Sequence, residues 1–264
     1  MDQPDNRALA RLIVSIGSMN DYGSSLLQTK QALDEKSDSP LNDNRDDKAI
    51  FNDAIAGIKA IKKIGFSTDG IIAINKEFKS DSIEEPDWPG HLRNAYYNED
   101  DRITVQTRRT QDPERMYHPK DVISRNDIDN IVDTYNNSSK QEYDDWKIFA
   151  SLSKLQPFQD GNKRTALIAA NAAGNRFENS DFLVLPFNDF DREKFMADLM
   201  RYYDSNSDVE EDTALKLMIE DLPSPSLRRS ELHKSIADET EEKDNAVDNL
   251  KTVNVKSIFH RNDD

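Results

Sequence analysis

Apolar residues recur at helical spacing along most of this chain. Between 6 and 35 the pattern predicts two helices, with a break at "NDYG" (20–23). The stretch 35–47 is polar, contains Pro40 and reads as a loop. "AIFNDAIAGIKAIKKIG" (49–65) predicts an amphipathic helix that Gly65 stops. Ser67, Thr68 or Asp69 can cap the next helix, "GIIAINKEFKS". From 85 to 119 the texture changes to Pro, Gly, Asn and Asp, and "RITVQT" (102–107) is its strand signal. With "ERMY" (114–117) it predicts a hairpin. Helical spacing returns at 121–136, 140–155, 161–177, 189–203 and 208–221. The expected fold class is mainly α with a small β-hairpin flap.

Composition changes this picture mostly at the C-terminal end. Of 264 residues, 36% are apolar and 33% charged, so part of the chain is expected to lie outside a packed core. After "DLPSPS" (221–226) the sequence becomes highly charged and reads as a tail, with a helix over about 227–251. The net charge of −16 repels phosphate backbones and anionic lipid, which argues against nucleic acid and membrane surfaces as partners. No apolar run is long enough to span a bilayer. The first residues lack the basic head and apolar block of a secretory signal, so a cytoplasmic protein is expected. Without cysteine there is neither disulfide framework nor thiolate zinc site. None of His91, His118, His233 and His260 falls in a metal-binding pattern; His118 lies beside the expected hairpin. Nothing in the sequence fixes an oligomeric state.

The candidate chemistry lies in "LQPFQDGNKRTALIAAN" (155–171). A helix start presents unpaired N–H groups and partial positive charge, a natural anion site. Gly161 lets the backbone approach a ligand, Asn162 adds an amide donor and Arg164 can fork onto a phosphate. Lys163 either attracts a phosphate or fills its space. Asp160 can hold Mg²⁺ or cap the helix, and Phe158 can anchor the loop. Equally, Asp-Gly-Asn before a helix is ordinary turn chemistry. Gln156, where such a loop might carry a base, takes no proton at neutral pH.

"QPFQDGNKR" resembles the signature of the Fic/Doc (Fido) family, His-Pro-Phe-x-Asp/Glu-Gly-Asn-Gly-Arg, at seven of nine positions. "PGHLRN" (89–94) resembles the family's Pro-Gly-x-x-Arg segment leading into its flap, and "YHPKDV" (117–122) the segment leaving it. The resemblance covers about 85–205. It implies a Fic-like helical core over 85–222, with a flap at about 93–117 and a motif loop at 156–164. An N-terminal helical region, 1–84, would precede it. A charged tail, 223–264, partly helical or disordered, would follow. The implied activity is transfer of AMP from ATP, with Mg²⁺, to a hydroxyl side chain of a target protein. By resemblance Gln156 stands where the motif His deprotonates the acceptor, and Asp160 binds the metal. Gly161, Asn162, Lys163 and Arg164 hold the phosphates, and Phe158 anchors the loop. Ile103, Thr104 and Val105 of the flap would dock the target by strand addition.

Three departures qualify this expectation. Gln156 can orient a hydroxyl but not deprotonate it, and general-base help is worth about 10²–10⁴ in rate. Lys163 and Leu167 resemble the Doc branch, whose members transfer a phosphate. "SIGSMN" (15–20) resembles the family's self-silencing helix, but Met19 stands where its Glu would be. The sequence therefore leads to a nucleotide-binding Fic-family protein with weak or no turnover. The alternatives are a non-catalytic protein-binding module and a Doc-like kinase acting on a protein target.

Overall fold

One helix buried on every side sets the architecture. In the computed structural model, which describes residues 6–80, 86–107 and 116–236, that helix is α7 (Asn162–Ala173). Every residue from Arg164 to Asn171 is buried, the pattern of a helix with neighbours all round. Ala166, Ala169 and Ala170 keep it slim, so its neighbours can approach closely. They are α1 (Asn6–Gly17), α3 (Arg45–Ile64), α4 (Thr68–Lys76) and α6 (Glu142–Leu155). Around them stand α2 (Leu26–Glu35), α5 (Arg125–Asn136), α8 (Asp189–Asp204), α9 (Asp208–Glu220) and α10 (Pro225–His233). One apolar core unites Leu12 and Ile16 of α1 with Ile74, Phe149, Leu167, Phe195 and Leu215. The fold is mainly helical, as expected.

Helix boundaries follow local chemistry. Ser25, Asn44, Ser67, Asn188, Ser207 and Ser224 each accept an N–H of the first turn through their side chains. Gly65, at φ +92°, ends α3 as expected. Of the helix expected over 227–251, only the start forms, as α10, which ends at His233 with Lys234 as its cap; the part of that range from 237 on lies outside the described residues.

The expected hairpin is corrected. No β-strand forms among the described residues, and 102–107 makes a single antiparallel bridge, Val105 with Tyr117. Both of its bonds, Val105 N–H to Tyr117 O and the reverse, are 2.9 Å. Toward the fold, the next pair of this register joins Ile103 to residue 119, a proline, which has no N–H to donate. In the other direction the next hydrogen-bonded partner position, 115, lies outside the described residues. Burial still alternates, with Ile103 and Val105 half-buried and Arg102, Thr104 and Gln106 exposed. A second bridge, Asn94 with Val122, joins the segments on either side.

Candidate functional site

Where α6 stops, the site begins. Gln156 caps α6 in the left-handed region (φ 50°, ψ 59°), and Pro157 cannot continue the helix. The chain turns through 157–161 and re-enters a helix at Asn162. The reversal is held from inside. The Asn162 amide donates to the Phe158 carbonyl (2.8 Å) and to Gln156 Oε1 (3.1 Å), and its Oδ1 accepts the Phe158 N–H (2.8 Å). Phe158 is fully buried beneath the loop. The Asn162 side chain therefore shapes the loop rather than pointing outward.

Gln156 is buried and hydrogen-bonded at both ends of its amide. Nε2 donates to the Ser153 carbonyl (2.6 Å) and the Tyr203 hydroxyl (3.2 Å), while Oε1 accepts from Asn162. Burial pushes the Tyr203 hydroxyl above its ordinary range.

Gly161 stands at φ +72°, and a Cβ there would lie 2.5 Å from Phe78 Cδ2. Both the turn and the close approach of α4's end require glycine. Gly161 is the N-cap of α7. Asp160, one residue earlier, accepts the Gly161 N–H at 2.5 Å, so it braces the turn without being the cap itself. The first turn of α7 has no acidic residue and carries Lys163 and Arg164, which reinforces its positive end. Arg164 is buried, its guanidinium 4.8 Å from the centre of the Phe78 ring.

These residues surround a cavity of about 260 Å³. Gln156 and the run Gln159–Arg164 line it, joined by Ile103 and by Asn20, which follows α1. Of the other flap residues, Val105 is bonded to Tyr117 and Thr104 is exposed, 3.3 Å from His118 Nδ1. His118 does not line the cavity. The lining contains no histidine, and its one carboxylate is Asp160. Among the described residues no group of three His, Cys, Asp or Glu side chains could hold a metal.

Three residues support the loop from elsewhere in the chain: Asn75 and Asp101, which no motif marks, and Arg93, the arginine of the "PGHLRN" segment. Asn75, fully buried on α4, donates to the Asp160 carbonyl (2.9 Å) and accepts the Gly90 N–H (2.8 Å). Its signal is a polar residue on the apolar face of Ile71, Ile74 and Phe78. Arg93, fully buried, donates to the carbonyls of Gln156 (2.5 Å), Asp101 (2.7 Å) and Lys120 (3.0 Å). Burial lowers its pKa. Asp101, also fully buried, accepts from Gln159 (2.7 Å), His91 (3.0 Å), Asn98 (3.3 Å) and the Asn94 N–H (2.5 Å). Leu167, at the second departure from the motif, lies in the core.

No family model matches the chain. No curated protein matches it either. Among the described residues no helix is long and apolar enough to cross a membrane.

Proposed function

We propose that this chain is a Fic-like nucleotide-binding protein. It would hold ATP with Mg²⁺ over the 156–164 loop and nominally transfer AMP to a hydroxyl of a target protein, with weak or absent turnover. The observation that carries the reading is that the motif stretch closes around one cavity at the positive end of α7, with Ile103 from the 102–107 segment at its wall. That placement supports the resemblance, although the hairpin it implies does not form among the described residues. The cavity is smaller than the ~300–1,000 Å³ of a whole-ligand pocket. It therefore suits the phosphates, with the nucleoside outside.

The donor set fits Mg²⁺ as phosphate-bound enzymes hold it, by one carboxylate with water and phosphate oxygens completing the shell. Asp160 would supply that carboxylate. When bound, the ion neutralises phosphate charge. The backbone N–H groups at the start of α7, with Lys163 and Arg164, would grip the phosphates, while the Asn162 side chain keeps the loop in shape. Gln156 would orient an acceptor hydroxyl but take no proton from it.

The second reading, a non-catalytic module, draws on the saturation of Gln156. Its amide serves Ser153, Tyr203 and Asn162. Such a residue has become part of the framework. Lys163 at the cavity keeps a Doc-like phosphate transfer as a third outcome to be tested.

The test is calorimetry of ATP binding with and without Mg²⁺, on the native chain and on Arg164→Ala. The expected loss is about 1.5–3 kcal/mol, the worth of a charge-assisted hydrogen bond, in a variant whose circular dichroism stays native. Equal affinities would show that the loop is only a turn. Absence of nucleotide binding in both would put the module first.

A further inference from the structure

The loop over 86–101 is built inside out. Its interior is polar, with Arg93 and Asp101 fully buried, bonded to backbone carbonyls and to Asn94, Asn98, His91 and Gln159. Its large aromatic side chains face solvent instead. Trp88 is 55% exposed, Tyr96 77% and Tyr97 92%. Trp88 meets the ring of His91 only edge-on, at 5.0 Å between centres. A loop free to choose would bury the aromatics, which carry the largest apolar surface. Grouped exposed aromatics mark interaction surfaces, where Trp and Tyr dominate binding energy.

Charge selects the partner. Asp87 flanks Trp88, and Glu99 and Asp100 follow Tyr96 and Tyr97; all three acids are exposed. The stretch has no lysine, and Arg93, its one arginine, is buried. The exposed Arg102 follows and pairs with Glu99 (2.9 Å) and Asp121 (3.1 Å), so Asp87, Glu99 and Asp100 leave the face aromatic and on balance anionic, on a chain of net charge −16. Like charge disfavours a second copy of this chain. An aromatic face beside carboxylates favours guanidinium or ammonium groups, which gain cation–π attraction and an ion pair together. The surface also has a fixed relation to the cavity. Gln159, which lines it, accepts the Trp88 N–H (3.0 Å) and donates to Asp101 (2.7 Å).

We propose that Trp88, Tyr96 and Tyr97 with Asp87, Glu99 and Asp100 form a docking surface for an arginine- or lysine-bearing segment of a partner protein, at the mouth of the cavity. The surface needs no nucleotide, so it stands or falls apart from the reading of the cavity. The probe is a short fluorescein-labelled arginine–glycine–serine peptide, compared with its citrulline version, in which each guanidinium becomes a neutral urea. The arginine peptide is expected to bind in fluorescence anisotropy and the citrulline peptide at least roughly fivefold more weakly. Tyr96→Ala/Tyr97→Ala, at exposed positions, should weaken the arginine peptide by a similar factor. Asp191→Asn/Glu193→Gln, which removes two negative charges from α8 where the tyrosine variant removes none, should leave binding unchanged. A second readout is tryptophan emission, since Trp146 is 1% exposed and Trp88 is the accessible indole. The peptide should shift it in the native chain and not in Trp88→Phe. Equal binding of both peptides, or equal loss in the tyrosine and α8 variants, would overturn the proposal and leave only general attraction to an acidic chain.

Discussion

Gln156 concentrates the functional question in one side chain. Its backbone is left-handed, a region that His enters more readily than most residues, so Gln156→His should be accommodated. An imidazole donates with one nitrogen and accepts with the other, enough to keep two of the three contacts that the amide makes. It also brings a group of ordinary pKa near 6.5. In incubations with α- and γ-labelled ATP, α-label on protein is expected to rise by roughly 10²-fold. A rise in γ-label would favour phosphate transfer. A folded, nucleotide-binding variant with neither would favour the non-catalytic module. Gly161 tests the loop itself. Gly161→Ala adds a Cβ 2.5 Å from Phe78 at φ +72°. The left-handed cost and the overpacking together should lower stability by about 2–5 kcal/mol, read from urea unfolding midpoints. No loss would mean that Phe78 and the loop can separate freely.

At the scale of elements, the segment before the bridge at Val105 is organised by a carboxylate. Burial alone would raise the Asp101 pKa. The Asn94 N–H, the Gln159 amide and the His91 ring outweigh it and hold the group below its ordinary 3.8. A folded-state value below the unfolded one contributes stability that is fully present above pH 3.8. That stability is lost as the pH falls through the folded value. Urea unfolding across this acid range should therefore show a steep decline in the native chain and a shallower one in Asp101→Asn. An identical slope in both would remove Asp101 from the acid response.

Across the whole molecule, α10 ties distant parts together. Arg228, 1% exposed, is ion-paired with Glu142 at the start of α6 and with Asp181 (3.2 Å). Arg11 of α1 donates to the carbonyls of Leu232 (3.3 Å) and Lys234 (3.2 Å). Arg176 also reaches Glu142 and Asp181 and bonds Asp145 at 2.6 Å. Arg228→Ala should cost about 2–3 kcal/mol, below the 3–5 of a wholly buried pair, because Arg176 remains to serve the same carboxylates. Thermal unfolding measures the loss, and proteolysis should then cut first near α10. Unchanged stability would show that α10 docks by its apolar face alone.

The sequence by itself determined the helices, because a 3.6-residue apolar period, capping serines and asparagines and stops such as Gly65 act within one turn of chain. It also determined the loop at 156–164, whose Pro, Gly and Asn dictate a tight reversal before a helix. Only the tertiary structure decided the rest. Whether 102–107 forms a strand depends on its partner, and the Val105–Tyr117 register brings Pro119 opposite Ile103, where the ladder fails. Asn75 and Arg93 hold the site from 85 and 63 residues away in the chain, by bonding backbone carbonyls. Carbonyls are present at every position, so no residue pattern announces which will be chosen. Gln156 reads in sequence as a lost base. Packing against Ser153, Asn162 and Tyr203 makes it a buried structural amide as well, and that depends on α8 returning to the end of α6.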